Sequence, residues 1–271
     1  RHNRVMTSES PRLRVAVWQC APTPRDGAAN LRRLAEVAQA AALDGAGLLV
    51  TPELTLTGYD VGDLAGLLRS DDVDGVAAIA RDYRLALVVG LALRDDAITH
   101  NAAVTISASG ELLATYRKAH LFGRLDHSRF DAGPAPFAIA ELGGIRVATM
   151  VCYDVEFAEA VRAAALAGAH LVAVPTANMH PYDIVCEAVV PVRAWENQVY
   201  LAYANHCGFE GDTAYVGRSV IVAPDGSPAA RAGAVDEQVI MADIDAEVVR
   251  AAQTANPYLT DRRRDLYEGL R

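Results

Sequence analysis

The sequence has no run of basic residues that could line a nucleic-acid-binding surface. Its 25 lysines and arginines are outnumbered by 34 aspartates and glutamates, so the net charge is −9 at pH 7. That balance argues against nucleic acid and anionic membranes as partners. A long hydrophobic segment is also lacking, because Arg162 and His170 interrupt the most apolar stretch, 160–174, and no membrane span is expected. These absences favour a protein that acts on small molecules.

Cysteine is scarce, and its spacing argues against two kinds of site. The four cysteines are Cys20, Cys152, Cys186 and Cys207, and no two of them form a C-x-x-C pair. Neither a zinc site nor a disulfide framework is therefore indicated. We expect free thiols in a reducing, cytoplasmic setting, with Cys186 and Cys207 as buried structural residues.

Alternating strand and helix patterns run along the chain without a linker or a repeat. With 52% hydrophobic residues, the chain can bury a sizeable core, and the pattern predicts one α/β domain over 13–271 with a C-terminal tail. Predicted hairpins at 101–116 and 219–226 indicate mixed sheets, while periodicity leaves a three-layer or a four-layer sandwich open. Residues 1–12 are expected to be a disordered or vector-derived N-terminus.

The stretch around Cys152 carries the strongest chemical signal. Val147–Val151 is typical of a buried strand, and 157–168 is rich in alanine and leucine and predicts a helix. Cys152 is thus predicted at a strand-to-helix corner, where helical N–H groups would favour a thiolate. The alternative is an inert buried cysteine.

A cysteine nucleophile needs a base and a group that stabilises the oxyanion. Glu53 follows a short buried strand, at the position where α/β sheets often place functional groups. Lys118 follows a predicted strand that ends at Tyr116, and it begins a long polar loop, 117–136. Either residue alone could be an ordinary surface charge. Together with Cys152 they form a base, a cation and a nucleophile.

Three motifs occur in a fixed order, and each contains one of these residues. They are Pro52-Glu53-Leu54-x-x-x-Gly58-Tyr59, Tyr116-Arg117-Lys118-x-His120-Leu121 and Val151-Cys152-Tyr153-Asp154-Val155-Glu156-Phe157. In these motifs the chain, from Leu13 to about Tyr267, resembles the nitrilase superfamily of carbon–nitrogen hydrolases.

The resemblance implies a role for each matching residue. Cys152 would be the nucleophile, Glu53 the general base, and Lys118 the oxyanion-binding group together with the backbone N–H of Tyr153. It also implies an α-β-β-α sandwich that pairs into a homodimer or a higher homo-oligomer. Neither a metal nor an organic cofactor is expected.

Two positions depart from the family pattern. Asp126 stands where many relatives have a second glutamate, so its role in positioning substrate is open; a loop carboxylate that caps a turn is the alternative. Ala158 stands where relatives often have proline.

Downstream, Arg193 and Glu196 match the family's Arg-Ala-x-Glu-Asn motif, and we expect them to support the site or to form a structural ion pair.

Further motifs indicate the substrate class. Tyr153-Asp154 after the cysteine is similar to the amidase and carbamoylase branches rather than to true nitrilases. Motifs that include Asn178, Tyr182 and Asn205 are similar to the amidase branch of 5-aminopentanamidase. An ammonium group at the far end of the substrate would need carboxylates or aromatic faces. The candidates for that role are Asp126, Glu196, Asp183, Tyr59 and Tyr182.

Other functions remain open at this stage. The same three residues would serve an N-carbamoyl amine or N-carbamoyl amino acid amidohydrolase, or a nitrile hydrolase. A regulatory binding protein on the same scaffold is a non-enzymatic alternative. A cysteine peptidase is disfavoured because no Cys–His–Asn arrangement is visible. His120 and His127 are expected to lie beside the site or in solvent and not to act as the base.

Overall fold

The computed structural model describes residues 10–64 and 66–267, which form two six-stranded sheets with helices on their outer faces. The strands of the first sheet are β1 (Arg12–Gln19), β2 (Leu48–Val50), β3 (Ala86–Asp95), β4 (Ile98–Ile106), β5 (Leu112–Arg117) and β14 (Gln238–Asp245). Those of the second are β6 (Ala138–Leu142), β7 (Ile145–Thr149), β8 (Leu171–Pro175), β9 (Tyr200–Ala204), β12 (Val220–Val222) and β13 (Pro228–Arg231). A separate small ribbon consists of β10 (Phe209–Glu210) and β11 (Thr213–Ala214).

Seven α-helices lie in the described residues. They are α1 (Gly27–Leu43), α2 (Asp72–Tyr83), α3 (Gly123–Arg129), α4 (Ala158–Leu166), α5 (Val190–Asn197), α6 (Ala246–Ala255) and α7 (Tyr258–Asp261). None of them is long and apolar enough to cross a membrane.

Both sheets are mixed. The first has the order β14-β1-β2-β3-β4-β5, in which β1, β2 and β3 are parallel and the other pairs are antiparallel. The second has the order β13-β12-β9-β8-β7-β6, with β7, β8 and β9 parallel. Parallel centres with antiparallel edges explain why the sequence shows both crossover helices and hairpins.

The strand residues alternate between two cores because successive side chains point to opposite faces of a sheet. Val15 and Val17 of β1 lie in the core between the sheets, with Val147 and Ala202 of the second sheet. Ala16 and its neighbours on the other face pack against α1 and α2. The second sheet packs its outer face against α4 and α5 in the same way. The predicted α-β-β-α sandwich with mixed sheets is confirmed.

Some elements differ from the sequence prediction. The predicted polar loop 117–136 contains the helix α3, and strand β6 follows it where no strand was predicted. β6 is short, and several of its residues are half-buried or exposed, so its hydrophobic alternation is weak. Most of the predicted N-terminal segment, residues 1–9, and the end of the tail, 268–271, lie outside the described residues. The division into one domain with flanking segments stays a prediction.

The two sheets bring several strand ends to one edge of the sandwich. Glu53 follows β2, Lys118 follows β5, Cys152 follows β7, and Thr176 follows β8. The Glu53 backbone N–H donates to the carbonyl oxygen of Thr176 at 3.2 Å, which joins the two sheets at this edge. Gly90 of β3 lies against the backbone here, and a Cβ at that position would clash with the Pro52 carbonyl and Glu53 Cα.

Candidate active site

Cys152 begins a tight 3₁₀ turn, Cys152–Glu156, directly after the second sheet's strand β7. Its φ of 49° lies in the left-handed region, which residues other than glycine rarely adopt. Such a conformation is typical of functional sites, where the surrounding structure holds a strained residue in place. The half-buried side chain lines a cavity of about 190 Å³.

The prediction that this corner favours a thiolate is wrong for the resting protein. Helix α4 begins only at Ala158, so its N-terminus is not at the sulfur. Burial raises the pKa of Cys152, and the charge on Glu53 raises it further. Lys118, the Thr176 side chain and the Ala177 backbone lower that pKa without reversing the shift. A base is therefore needed to remove the thiol proton.

Glu53 is fully buried at the edge of the sandwich. Its Oε1 accepts hydrogen bonds from Lys118 Nζ at 2.7 Å and from Asn101 Nδ2 at 2.6 Å. Its Oε2 is buried and has no hydrogen-bond partner among the described residues. A buried carboxylate oxygen with free lone pairs is a good proton acceptor, which is what a general base requires.

Lys118 lies between two carboxylates and is itself fully buried. Its Nζ is 2.7 Å from Glu53 Oε1 and 2.7 Å from Asp126 Oδ2. Burial opposes the charge, but Glu53, Cys152 and Asp126 outweigh that effect and hold the pKa of Lys118 well above its usual range. An ammonium group has three N–H donors, so one donor remains after these two bonds.

Asp126 lies on the short helix α3 and is fully buried, although it is one carbon shorter than the glutamate of many relatives. Its Oδ2 also accepts from the Phe122 backbone N–H at 3.0 Å, and its Oδ1 accepts from the Tyr59 hydroxyl at 3.0 Å. The carboxylate therefore does more than cap a turn, because it joins Lys118 to Tyr59. Burial and the charge on Glu53 raise the pKa of Tyr59, so the hydroxyl remains a donor.

A third buried carboxylate, Asp154, supports the turn from inside. It accepts from the Tyr116 hydroxyl at 2.8 Å and from the Val151 backbone N–H at 3.2 Å. It also accepts from the His120 backbone N–H at 2.9 Å, and His120 Nδ1 is 2.8 Å away. His120 stacks on Phe157 with ring centroids 3.8 Å apart. His120 is thus engaged with Asp154, and His127 is exposed on α3.

Arg193 holds the same turn from the α5 side. Its guanidinium donates to the backbone carbonyls of Val155 at 3.1 Å and Glu156 at 2.6 Å. It also pairs with Glu196 at 3.0 Å. Glu196 does not line the cavity that Cys152 lines; it lies in a separate surface depression with Glu159. Glu196 therefore forms the ion pair with Arg193 that the sequence offered as one alternative, and its role as an ammonium-binding group stays a prediction that the cavity lining does not support.

The cavity brings together several of the predicted substrate-binding residues. Tyr59, Tyr153, Asn178 and Tyr182 line it together with Cys152, and so do four residues not singled out from sequence: Phe122, Glu156, Ala177 and Met179. The Asn178 backbone N–H donates to Asn205 Oδ1 at 2.7 Å, and the Asn178 Nδ2 donates to the Tyr182 carbonyl oxygen at 3.0 Å.

No group of three or more metal-binding side chains occurs in 10–64 and 66–267.

A sequence profile of one protein family matches nearly all of this structure. The family is described as Carbon-nitrogen hydrolase, and the match covers residues 14–254. The chain belongs to this family. Its predicted enzyme class, an amidase or carbon–nitrogen hydrolase of the nitrilase superfamily, is thereby confirmed.

Individual relatives agree with that assignment. The hydrolase is 46% identical over 264 residues to "Hydrolase in pqqF 5'region" of Pseudomonas protegens, covering 95% of this chain and 92% of that protein. It is 32% identical over 256 residues to an (R)-stereoselective amidase of Pseudomonas sp, covering 93% and 92%.

A solved structure gives chemical detail for a relative. A variant of the amidase from Nesterenkonia sp. AN1 carries the acetamide moiety of fluoroacetamide covalently bound to its active-site cysteine. It matches the hydrolase with a TM-score of 0.87 at 35% identity, covering 99% of this chain and 100% of that one. Another variant of the same amidase, with a TM-score of 0.86, 36% identity and 97% and 98% coverage, is in complex with butyramide.

Sequence motifs did not reveal the residues that hold Glu53 and Tyr59. His206 Nε2 lies 2.6 Å from the Glu53 carbonyl oxygen, and the side chain is fully buried. Glu210, on β10, accepts from the Tyr59 backbone N–H at 3.0 Å and from the Tyr215 hydroxyl at 2.7 Å. Gly58 has a φ of 84°, and a Cβ there would clash with Glu210. Gly58 and Tyr59 of the first motif were the only sequence signal for the contact between Glu210 and the Tyr59 backbone.

Proposed function

We propose that the hydrolase converts small aliphatic amides to a carboxylate and ammonia through a thioester on Cys152, and that ω-amino amides such as 5-aminopentanamide are its best substrates. The observation that carries the proposal is the unpartnered Oε2 of Glu53 in a buried cluster with Lys118 and Cys152. The cavity of about 190 Å³ is below the range of drug-sized pockets, which favours a short acyl chain.

In the proposed first half-reaction, Glu53 Oε2 takes the Cys152 proton as the sulfur attacks the amide carbon. The carbonyl oxygen becomes an oxyanion, which accepts the third N–H of Lys118 and the backbone N–H of Tyr153. When the carbon–nitrogen bond breaks, Glu53 returns the proton to the leaving nitrogen, and ammonia departs. The acyl group stays on Cys152 as a thioester.

In the second half-reaction, Glu53 removes a proton from water as the water oxygen attacks the thioester carbon. The same two donors hold the new oxyanion. Its collapse breaks the carbon–sulfur bond, and the proton held by Glu53 returns to the sulfur. The products are the carboxylic acid and the free thiol, so the cycle needs neither a metal nor an organic cofactor.

The best test of substrate class is ammonia release from four compounds of matched size. They are 5-aminopentanamide, hexanamide, an N-carbamoyl amine and an aliphatic nitrile, each incubated with the wild type and with Cys152→Ala. We expect turnover of both amides and none with Cys152→Ala. Release of CO₂ from the carbamoyl compound at a higher rate would make the hydrolase a carbamoylase, and faster nitrile turnover would make it a nitrile hydrolase.

We also propose that two copies of the hydrolase pair through the face formed by α4, α5 and α7. Large apolar side chains are exposed on this face, namely Leu166, Val192, Trp195 and Tyr258. Trp195 and Tyr258 contact each other with ring centroids 6.4 Å apart. Exposed apolar clusters of this kind are typical of subunit interfaces. Light scattering should give a dimer for the wild type and a monomer for Trp195→Asp; a monomeric wild type would contradict the proposal.

We propose a reducing, cytoplasmic location for the enzyme. All four cysteines are free in the structure, and the nucleophile acts only as a thiol.

A further inference from the structure

Glu156 is the one carboxylate whose side chain lines the cavity next to Cys152 in the described residues. It ends the turn Cys152–Glu156, so the nucleophile and this carboxylate are fixed in one rigid segment. The hydrogen bonds from Arg193 to the Val155 and Glu156 carbonyls hold that segment against α5. The position of the Glu156 backbone is therefore set by the fold, and the residue lines the cavity that Cys152 also lines.

The Glu156 carboxylate forms no hydrogen bond or ion pair within 10–64 and 66–267. The two cations nearest in charge interaction, Lys118 and Arg193, are engaged elsewhere. Lys118 donates to Glu53 and Asp126, and Arg193 pairs with Glu196. Burial raises the pKa of Glu156, because the two cations compensate only part of the lost hydration. An external cation would supply the missing partner.

The other acidic residues considered for this role are already paired. Asp126 lies 2.7 Å from Lys118 Nζ. Asp183 lies 2.9 Å from His180 Nδ1 and 3.3 Å from an Arg218 nitrogen, and it does not line the cavity. Glu196, paired with Arg193, lies outside the cavity as well. Among the acidic residues that the structure describes, only Glu156 combines a place in the cavity lining with a carboxylate that has no hydrogen bond or ion pair.

Aromatic residues form a large part of the cavity lining. The Phe122 ring meets Tyr153 edge-on at 5.2 Å and Tyr182 at 5.6 Å between centroids. All three residues line the cavity with Glu156. Aromatic faces attract ammonium groups and do not attract carboxylates. A mixed wall of rings and one carboxylate is a typical environment for an organic ammonium ion.

The charges beneath the cavity also favour a cationic ligand. Two buried carboxylates, Glu53 and Asp126, share the single positive charge of Lys118. Adding Glu156 gives the site three carboxylates and one buried ammonium group. Coulomb interactions are strong in such a poorly hydrated site, so a second carboxylate on the substrate would be repelled.

We propose that Glu156 is a specificity-determining residue that forms an ion pair with an ammonium group on the acyl chain of the substrate. The inference rests on the proposed amidase function, and it names the substrate class as cationic amino amides. The same arrangement excludes amides that carry a second carboxylate.

The test compares each amino amide with a neutral twin in which a methyl group replaces the ammonium group. The series is glycinamide, 3-aminopropanamide, 4-aminobutanamide and 5-aminopentanamide, each measured beside its alkyl counterpart. For the preferred chain length, the ratio of kcat/KM for the amino amide to that for its twin should exceed one in the wild type. Glu156→Gln, which keeps the shape, should lower that ratio about 10- to 100-fold. Succinamate should be a poor substrate of the wild type.

Glu159→Gln is the matched control. Glu159 lies three residues further along, is exposed, and lines the separate depression instead of the cavity. Its removal changes the net charge equally, so the ratio should stay at the wild-type value. A second variant, Glu156→Asp, keeps the charge on a shorter side chain and should move the preferred amino amide to a longer chain.

Three results would count against the inference. Equal loss of activity on both members of a pair in Glu156→Gln would show a structural role only. A wild type that hydrolyses amides without preferring any amino amide would overturn the inference and the proposed preference for ω-amino amides, and would leave amide hydrolysis itself intact. No turnover of any amide would overturn the proposed function and the inference with it.

An inhibition experiment tests the proposal without any variant. Competitive inhibition of the wild type by n-butylammonium, but not by 1-pentanol, would support it.

Discussion

Asn101 and Glu53 form the contact that orients the candidate base. The Asn101 Nδ2 donates to Glu53 Oε1 at 2.6 Å, and Lys118 donates to that same oxygen. Both donors thus occupy one carboxylate oxygen, and Oε2 has no partner among the described residues. This asymmetry leaves the lone pairs of Oε2 available for the thiol proton, and it comes from a residue on β4 that no motif indicated.

The first prediction concerns this orienting contact. Asn101→Leu should lower kcat about tenfold or more with a smaller change in KM, because a hydrogen bond to a charged group is lost and the carboxylate can rotate. Steady-state kinetics with butyramide would measure both constants. Thr105→Val is the matched control, since Thr105 is a buried polar residue of β4 that contacts Thr149 and not Glu53. An unchanged kcat in Asn101→Leu would contradict the account.

The second prediction concerns the base itself. Glu53→Gln should lower kcat by about 10²- to 10⁴-fold, because the raised pKa of Cys152 leaves the thiol protonated without a proton acceptor. The protein should keep its fold, since glutamine still accepts the bonds from Lys118 and Asn101. Circular dichroism and ammonia release would check both points, with Glu36→Gln on the exposed face of α1 as a control. Wild-type turnover by Glu53→Gln would exclude this role.

A third prediction follows from the position of Asp126 between Lys118 and Tyr59. Asp126→Asn removes a buried negative charge and can turn an N–H₂ group toward donors. We expect the free energy of unfolding to fall by about 1–3 kcal/mol and kcat to fall together with it. Urea denaturation would measure the stability change. Asp131→Asn is the control, because Asp131 is exposed just after α3; equal stability of both variants would show that Asp126 only caps a turn.

The fourth prediction is a pH dependence of stability that comes from His206. Burial lowers the pKa of His206 below its ordinary 6.5, although the hydrogen bond from its Nε2 to the Glu53 carbonyl and the charges on Glu210 and Glu53 oppose part of that effect. Below pH 6.5 the unfolded chain binds a proton that the folded protein does not. The free energy of unfolding therefore falls as the pH drops from 6.5 toward the lowered pKa.

Urea denaturation at pH 7.5 and pH 5.5 would test this dependence. His206→Gln keeps a donor for the Glu53 carbonyl but does not titrate, so it should lose less stability between the two pH values than the wild type. His127→Gln, at an exposed position, should behave as the wild type does. An equal pH dependence in the wild type and His206→Gln would show that His206 is not responsible.

Local patterns predicted an α/β chain with mixed sheets and placed Glu53, Lys118 and Cys152 after strands, whereas the α-β-β-α sandwich and the roles of these residues came from the resemblance to the nitrilase superfamily. Glu53, Lys118 and Cys152 each follow a short strand-like segment in the sequence, and in the structure they follow β2, β5 and β7. Since parallel strands end at a common edge, these residues meet in the structure. The helix predicted over 157–168 is observed as α4, because a segment rich in alanine and leucine favours a helix.

What the sequence could not predict depends on contacts between distant segments. Asn101 and His206 reach Glu53 from 48 and 153 positions away in the sequence. Glu156 was part of a quoted motif, but its place in the cavity follows from the tight turn at Cys152, which periodicity does not show. The expected thiolate also failed, because the pKa depends on burial and on the Glu53 charge, neither of which is a local property.

The central claim is that Cys152 carries an acyl intermediate during amide hydrolysis. The most direct measurement is the reaction of butyramide with the wild type and with Cys152→Ala in the presence of hydroxylamine. The account predicts that the wild type forms butyrohydroxamate at the expense of butyrate, because a second nucleophile intercepts the thioester, while Cys152→Ala forms neither product. Ammonia release by a folded Cys152→Ala protein at the wild-type rate would contradict it.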